Sequence, residues 1–278
     1  MKYGVKMNYS PLRYPGSKNK FYPIVKNYMK LCNISTKTSY AEPYAGGASV
    51  ALRLLLNNEV SEIHINDFDK AIYSFWYSII NNTIKFLDKI EDTSIDIENW
   101  RQQKEILKTS KDILLLGFAV FYLNRTNFSG IIKGGPIGGL KQDREYKISC
   151  RFNKANLINK IETIASLKKK IKVYNLDAIT FIQKIDKTSN CFMYIDPPYY
   201  NKGKELYMNF YKEEDHKKLN EIVSTIKNHW LLSYDKCDFI EALYKDFITE
   251  TKPLFYSAGY KKIGNELLIS KNLPITLY

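Results

Sequence analysis

The sequence predicts an α/β protein built on a doubly wound, mostly parallel sheet that a largely helical insertion interrupts. Short apolar runs alternate with amphipathic helical patterns near both ends of the chain, which is typical of such sheets. Between residues 70 and 170 the strand pattern is missing and helical periodicity dominates. With 278 residues, 45% of them hydrophobic, the chain is long enough for one sizeable core.

The periodicity of apolar residues assigns the individual elements. Strands are predicted at 39–44, 61–66, 171–175, 191–196, 230–234, 247–252 and 265–270. Helices are predicted at 18–31, 47–57, 69–82, 98–108, 112–124, 153–167, 213–228 and 238–245. The segment 129–150 holds too many glycines for a helix, so we expect a hairpin or a flexible loop there.

The tetrapeptide Asp196-Pro197-Pro198-Tyr199 follows the fourth predicted strand directly. An acid at the end of a buried strand lies at the carboxyl edge of the sheet, where open α/β folds bind ligands. The two prolines remove backbone donors and leave carbonyl acceptors, while Tyr199 offers a flat aromatic face. These groups suit a planar heterocycle that carries an amino group, such as adenine. The alternative is a turn that merely ends the strand.

The segment YAEPYAGGASV at 40–50 predicts a strand, a tight turn and a helix start. Glycines at 46 and 47 allow a backbone to approach a ligand closely. The next strand ends in Asp67, about twenty residues beyond the turn, where a carboxylate can accept the hydroxyls of a ribose. The two features together indicate a nucleoside pocket, although the turn alone could simply join a strand to a helix.

The segment PLRYPGSKNKF at 11–21 predicts a turn that leads into the first helix. Ser17 is a plausible cap for that helix, and Lys18 lies in its first turn. A lysine is unfavourable at the positive end of a helix dipole, which indicates an anionic ligand group nearby. An exposed lysine on a solvated face is the alternative.

The order of these segments resembles that of the amino-methylating DNA methyltransferases of the Dam type, which are adenine-specific and depend on S-adenosylmethionine. The matching segments are PLRYPGSK, AEPYAGGASV, INDFD, FYLNRTNFSG, YIDPPY and NELLIS, and they span nearly the whole chain. The resemblance implies a Rossmann-like methyltransferase sheet and methylation of the adenine amino nitrogen in duplex DNA after base flipping. It also implies a catalytic domain formed by 1–69 and 171–278, with a DNA target-recognition lobe at 70–170.

Site residues follow from the same resemblance. The cofactor side is expected to include Tyr14, Lys18, Glu42, Tyr44, Gly46, Asp67, Asp177 and Asp196. The catalytic loop is expected to consist of Asp196, Pro197, Pro198 and Tyr199, with Asp196 and the Pro197 carbonyl binding the two amino hydrogens of the target base. No metal is expected, because the sulfonium of the cofactor already carries the leaving group.

The excess positive charge of the chain, +13 in total, is concentrated in one segment. Residues 125–175 carry twelve Lys/Arg and three Asp/Glu, whereas residues 70–124 carry seven of each. A polyanion partner explains such a segment, and a solvated face is the alternative. The DNA-binding candidates are Arg125, Asn127, Ile131, Ile132, Lys133, Lys141, Arg144, Arg151 and Lys154.

Within that set, arginines are the usual readers of guanine and lysines mostly contact phosphates. We therefore expect Arg144 and Arg151 to read bases, unless they form surface ion pairs with Asp143 or Glu145. Arg125 is an alternative reader that could instead position the DNA backbone. The expected phosphate contacts are Lys133, Lys141 and Lys154. The isoleucines at 131 and 132 could wedge into a base stack or could be ordinary core residues. The segment after the LNR tripeptide departs from what we expect of relatives that methylate GATC, so a different short adenine-containing site is predicted.

Alternative functions and the expected partners complete the sequence-based predictions. An RNA adenine methyltransferase and a catalytically silent DNA-binding homologue stay open. A protein-glutamine or a cytosine methyltransferase is expected to carry Asn or Ser in place of Asp196. We expect a cytoplasmic protein that acts on double-stranded DNA as a monomer, with a cognate restriction endonuclease or a defence-system partner possible. No apolar run approaches a membrane span, and the four cysteines show no disulfide or zinc spacing.

Overall fold

The computed structural model describes residues 9–13, 18–188, 190–200, 211–256 and 262–271. Its seven strands are β1 (Ser39–Glu42), β2 (Ile63–Asn66), β3 (Ile171–Tyr174), β4 (Cys191–Ile195), β5 (His229–Asp235), β6 (Ile248–Tyr256) and β7 (Lys262–Ser270). They form one sheet in the order β3-β2-β1-β4-β5-β7-β6, in which β7 is antiparallel to both of its neighbours and the other pairs are parallel. The strand order reverses between β1 and β4, and such a switch point is where ligands bind.

The helices flank this sheet or belong to the insertion. They are α1 (Tyr22–Leu31), α2 (Ser49–Leu56), α3 (Lys70–Asn81), α4 (Thr83–Asp92), α5 (Ile97–Thr109), α6 (Ile113–Thr126), α7 (Lys154–Ser166), α8 (Ala178–Asp186), α9 (Glu213–Thr225) and α10 (Asp238–Leu243). The predicted doubly wound α/β fold is confirmed, and each predicted strand and helix has a counterpart. None of the described helices is long and apolar enough to cross a membrane.

Two helices, α4 and α8, were not predicted. Helix α4 follows α3 after a single residue, and it buries only Phe86 and Ile90 on one face, so its apolar pattern is sparse. Helix α8 begins at Asp177, whose carboxylate accepts hydrogen bonds from the backbone N–H groups of Ile179 and Thr180. Asp177 is therefore a helix N-cap, a role that a short acidic side chain fills well.

The insertion shares the core of the sheet domain. One continuous cluster of buried side chains includes members of α1, α2, β1 and β2 together with members of α3, α4, α6 and α7. Helix α3 joins the two regions, because Trp76 donates a hydrogen bond of 2.9 Å to the carbonyl of Gly46 and Gly117 of α6 packs on the same helix. A Cβ at Gly117 would lie 2.5 Å from the carbonyl oxygen of Ser74, so only glycine permits this approach.

The glycine-rich segment is a loop, which is one of the two forms expected from its sequence, and no hairpin is present among its residues. A single bridge joins Asn127 to Pro136, and the rest of the segment consists of turns and two short 3-10 helices, Phe128–Gly130 and Ile148–Arg151. The side chain of Gln142 organises the far end by donating to the carbonyl of Ile137 and accepting from the N–H of Ile148, each at 2.8 Å. Side-chain bonds thus hold the loop without a strand ladder.

Candidate functional site

Acidic side chains line the carboxyl edge of the sheet. Glu42 is the last residue of β1, and Asp67 and Asp196 directly follow β2 and β4. Asp235 ends β5 and is paired in register with Glu266 of the antiparallel strand β7. Because parallel strands end at the same edge, the sheet places these carboxylates side by side around the switch point.

Glu42 is a buried carboxyl group that joins β1 to the start of α2. Its Oε1 accepts a hydrogen bond of 2.9 Å from the Tyr40 hydroxyl and one of 3.0 Å from the Ala51 N–H. Burial and, to a smaller extent, the negative charge of Asp196 raise its pKa to about 8, although the two hydrogen bonds oppose that rise. Glu42 is therefore largely neutral at pH 7 in the absence of ligand.

The glycine turn and Asp67 form one unit, as the sequence predicted for a nucleoside pocket. Gly46 has a positive φ of 46°, and its N–H donates a hydrogen bond of 2.9 Å to Oδ2 of Asp67. Oδ1 of Asp67 accepts from the N–H of Asp69 at 2.9 Å. Burial and the nearby charge of Asp69 raise the pKa of Asp67 to about 7 in spite of these two bonds.

Asn66, which was not among the predicted site residues, holds the glycine turn and its neighbouring loop through its side chain. Its side chain is fully buried and donates to the carbonyls of Pro43 at 2.9 Å and Leu176 at 3.1 Å. Its Oδ1 accepts from the N–H of Leu176 at 2.9 Å. Asn66 therefore ties the cofactor loop to the loop that leads into α8. A polar residue at the end of an otherwise apolar strand was the feature that could have revealed it.

Tyr44 lies on the same loop and forms an aromatic pair. Its hydroxyl and that of Tyr211 are 2.7 Å apart, and the two rings meet edge to face with centroids 5.9 Å apart. Tyr44 is only partly buried. The pair therefore gives the cofactor side of the edge an aromatic wall beside its carboxylates.

Two strand residues, Ser233 of β5 and Tyr194 of β4, hold Asp196 by a short hydrogen-bonded chain. The Ser233 hydroxyl donates to Oδ1 of Asp196 at 2.9 Å, and the hydroxyls of Ser233 and Tyr194 are 2.9 Å apart. Ser233 and Tyr194 are buried, whereas Asp196 is partly exposed. A fixed carboxylate thus faces the edge of the sheet from a rigid base.

Tyr199 is more deeply placed than the sequence suggested. Only 5% of it is exposed, and its hydroxyl donates a hydrogen bond to Oε1 of Glu266, a residue that is fully buried. The next residue, Tyr200, is also held, because its N–H donates to Oδ1 of Asp235 at 2.9 Å. Tyr199 therefore does not present the freely accessible aromatic face that its sequence position suggests.

The N-terminal motif can be followed only in part. Tyr14 lies outside the described residues, and Lys18 begins a short 3-10 turn before α1. Arg13 is clasped by Asn124, which accepts from the Arg13 N–H at 2.6 Å and donates to the Arg13 carbonyl at 2.9 Å. The asparagine of the LNR tripeptide therefore joins the N-terminal motif to the insertion. Sequence reasoning missed this role because the two residues are 111 positions apart.

Three guanidinium groups lie close together at that junction. The carbonyl of Arg151 accepts a hydrogen bond from the guanidinium of Arg125. Burial and the positive charges of Arg13 and Arg151 together lower the pKa of Arg125 to about 10. Burial and the charge of Arg151 likewise lower the pKa of Arg13. Repulsion between these positive charges would be relieved by a bound anion, so the junction is suited to a phosphate group.

Several predicted DNA contacts have structural roles instead. Asn127 is fully buried, accepts from the Trp100 indole at 2.7 Å and donates to the carbonyls of Ile131 and Ile132 at 2.8 and 3.0 Å. Asn127 therefore shapes the loop and does not reach the surface. Ile131 and Ile132 are half-buried, and Ile132 packs against the core, so neither is the fully exposed wedge that we had considered. Lys154 is also partly buried and donates to the carbonyl of Glu91 at 2.6 Å.

Other predicted contacts do lie on the surface. Lys133, Lys141, Arg144 and Arg151 are exposed, and so are three large apolar side chains that the sequence analysis did not single out, Phe128, Leu140 and Tyr146. Burial raises the pKa of Asp69, and the positive charge of Lys133 opposes this rise, so Lys133 lies near Asp69, a residue shortly beyond the end of β2. The run 168–170 directly precedes β3 and therefore lies at the amino edge of the sheet, opposite the site.

Comparison with known proteins supports a common family for these features. Residues 14–255 match the model of the D12 class N6 adenine-specific DNA methyltransferase family. The Type II methyltransferase M.CviBI of Paramecium bursaria Chlorella virus NC1A is 26% identical over 256 residues, which make up 84% of this chain and 90% of the viral protein. The resemblance that the motifs predicted is thereby confirmed.

Two of the solved structures to which this chain is similar are methyltransferases of other organisms. The rRNA methyltransferase aviRa of Streptomyces viridochromogenes has a TM-score of 0.40 at 9% identity, with 91% of this chain and 84% of that chain covered. TrmK of M. capricolum, solved with S-adenosyl-homocysteine, has a TM-score of 0.37 at 8% identity, with 91% and 68% covered. Likeness at this level carries no argument about the substrate.

Proposed function

Because the chain belongs to the D12 class N6 adenine-specific DNA methyltransferase family, we propose that the carboxyl edge of its sheet methylates adenine through Asp196. The protein is an S-adenosylmethionine-dependent enzyme, and DNA is its substrate. One observation carries the assignment of the site. Asp196 follows the strand next to the switch point, is fixed by Ser233, and faces the edge that also presents the Gly46 turn and Asp67.

The residues at this edge fit S-adenosylmethionine. The pKa values of Glu42 and Asp67 are both raised, and the groups that shift them include no basic side chain among the described residues. A cationic ligand would favour the ionised forms of both groups and would be bound more strongly for that reason. Gly46 allows a close approach of the backbone, and the Asp67 carboxylate is suited to accept ribose hydroxyls. Tyr44 adds an aromatic wall. We expect Tyr14 and Lys18 to complete the cofactor side, and Asp177, exposed at the start of α8, to lie at its rim.

When bound, S-adenosylmethionine supplies an electrophilic methyl group on a sulfonium. The adenine amino nitrogen is a weak nucleophile, because its lone pair is delocalised into the ring. Hydrogen bonds from its two amino hydrogens to the Asp196 carboxylate and the Pro197 carbonyl favour a pyramidal nitrogen, whose lone pair then points at the methyl group. Asp196 also stabilises the positive charge that grows on this nitrogen, while Pro198 removes a competing donor. The Ser233 hydrogen bond keeps the carboxylate in place, so positioning supplies much of the effect.

The insertion, residues 70–170, is proposed to hold the duplex while the base is flipped. Its exposed basic side chains include Lys133, and the nearness of Lys133 to Asp69 supports a position of this loop beside the carboxyl edge. Flipping costs a few kcal/mol, which stacking of the base on Tyr199 offsets by about 1–3 kcal/mol. We propose Arg144 and Arg151 as base readers, and Lys133, Lys141 and the Arg13–Arg125 pair as contacts to the phosphate backbone.

The biological setting is proposed from the viral relative, which is called a Type II methyltransferase. We propose that the protein modifies a short adenine-containing sequence other than GATC, within a restriction-modification or defence system. Its partner would then be a cognate endonuclease that cuts the unmodified site. We further propose that it acts as a monomer in the cytoplasm, where its DNA is found.

Methyl transfer from radiolabelled S-adenosylmethionine tests the proposal. Purified protein is incubated with unmethylated genomic DNA or with rRNA, and the labelled base is identified after hydrolysis. We expect label in N6-methyladenine of DNA, and we expect Asp196→Ala to abolish it while DNA binding persists. Label in RNA alone, or near-normal transfer by Asp196→Ala, would contradict the proposal. Sequencing of the methylated sites then tests the predicted departure from GATC.

A further inference from the structure

The antiparallel strands β5 and β7 support the catalytic loop through three separate hydrogen bonds. Ser233 donates to Asp196, Glu266 accepts from the Tyr199 hydroxyl, and Asp235 accepts from the Tyr200 N–H. Asp235 and Glu266 are paired across the two strands, so the three contacts come from one small patch. The functional groups of the loop are thus held by the part of the sheet that lies beyond the switch point.

The contact between Tyr199 and Glu266 is the most specific of the three. Glu266 is fully buried, Tyr199 is 5% exposed, and a hydrogen bond from a hydroxyl to a carboxylate is stronger in such an environment than in water. Stacking on a base needs only an aromatic ring, which phenylalanine would also provide. The hydroxyl of Tyr199 is therefore not needed for stacking, and its hydrogen bond to Glu266 fixes the position of the ring.

We propose that Glu266 is a positioning residue, which anchors the Tyr199 ring to β7 so that the flipped adenine meets Asp196 in the reactive geometry. This inference rests on the proposed function of the Asp196 loop. Because only 5% of Tyr199 is exposed, a base can stack on its ring only if a movement on DNA binding uncovers the ring. The anchor keeps the ring in register with Asp196 during that movement, because both residues are tied to the same strand pair. A loss of the anchor would misplace the base by rotation of the ring, which lowers the rate of the chemical step.

Single-turnover methyl transfer with saturating DNA and cofactor tests this role. Glu266→Gln keeps the shape of the side chain and an acceptor but removes the charge, and we expect the rate constant to fall about tenfold. We expect the KM values for DNA and cofactor to stay within about twofold of wild type, because the substrates bind through other residues. Glu250→Gln on the neighbouring strand β6, whose partner is Lys252, is the matched control and should keep the wild-type rate.

Tyr199→Phe examines the same bond from the other side. The ring remains, but the buried Glu266 loses its donor, so we expect a fall at least as large as that of Glu266→Gln. In the double variant the two effects should not multiply, since both remove one interaction. An unchanged rate in Glu266→Gln, or multiplicative effects in the double variant, would overturn the inference. If the wild-type protein transfers no methyl group to DNA adenine, the proposed function fails first, which the same assay reveals.

Discussion

Replacement of Glu42 by glutamine should make the ligand-free protein more stable at alkaline pH. Burial raises the pKa of Glu42 to about 8, whereas a glutamate in an unfolded chain titrates near about 4.3. The folded protein therefore binds the extra proton, and the stability that this proton provides is lost as the pH rises through the folded pKa. Glutamine resembles the neutral acid and keeps an acceptor for Tyr40 and Ala51, so it has no such loss.

The size of the effect follows from the two pKa values. Each pH unit between them changes the free energy of unfolding by about 1.4 kcal/mol, which gives a loss of about 4 kcal/mol for the wild type between pH 5 and pH 8. At pH 5 the Glu42→Gln variant should be more stable than the wild type by only about 1 kcal/mol, because Glu42 is still neutral in the folded protein and is ionised mainly in the unfolded chain. At pH 8 the variant should be more stable by about 5 kcal/mol.

Urea unfolding of the two proteins without cofactor, at pH 5 and at pH 8, measures this difference. Glu105→Gln on α5 is the control, since its exposed carboxylate should leave the pH dependence unchanged. The comparison is made between variant and wild type at each pH, which removes the titration of all other groups. If the stability difference is the same at both pH values, Glu42 does not titrate in this range and the electrostatic account of the cofactor edge is wrong.

Further changes probe other parts of the molecule. The pKa of Asp67 is about 7, so its carboxylate becomes a better acceptor for ribose hydroxyls as the pH rises. Calorimetry should therefore show cofactor affinity increasing about tenfold from pH 6 to pH 8. Asp67→Asn should remove most of this pH dependence. Gly117→Ala should destabilise the protein by about 1–3 kcal/mol in urea unfolding, because its Cβ would collide with the Ser74 carbonyl, whereas Gly135→Ala, which has open space, should cost little. Phe128→Ala should weaken DNA binding without lowering the melting temperature, because 64% of this side chain is exposed; a lower melting temperature with unchanged DNA binding would refute a surface role.

The elements of the fold were largely predictable because their apolar patterns are local. Strand β4 is a run of five buried residues, and helix α3 carries a regular buried face that begins after the cap Asp69. Helix α4 escaped prediction because only Phe86 and Ile90 mark its buried side. The sequence does not distinguish a hairpin from a flexible loop after α6, since the form of this segment depends on side-chain hydrogen bonds of Asn127 and Gln142.

Site residues were predictable where the chain itself brings them to the carboxyl edge. Asp67 and Asp196 directly follow strands, so their placement follows from the sheet. The partners that hold them could not be foreseen, because Ser233 and Glu266 come from strands much later in the chain, and nothing local distinguishes them from ordinary strand residues. Asn127 was assigned to DNA by its neighbours in sequence, although its side chain turns inward to Trp100.

The single-turnover rate of Asp196→Asn, measured on the preformed complex with DNA and S-adenosylmethionine, tests the central claim most directly. The variant keeps the shape of the side chain and the acceptor for Ser233 but loses the negative charge that stabilises the developing positive charge on nitrogen. We expect the rate constant to fall by about 10²–10³ or more, with affinities for DNA and cofactor within a few-fold of wild type. Asp92→Asn at the exposed end of α4 is the control, which should keep the wild-type rate. A near-normal rate in Asp196→Asn would contradict the account.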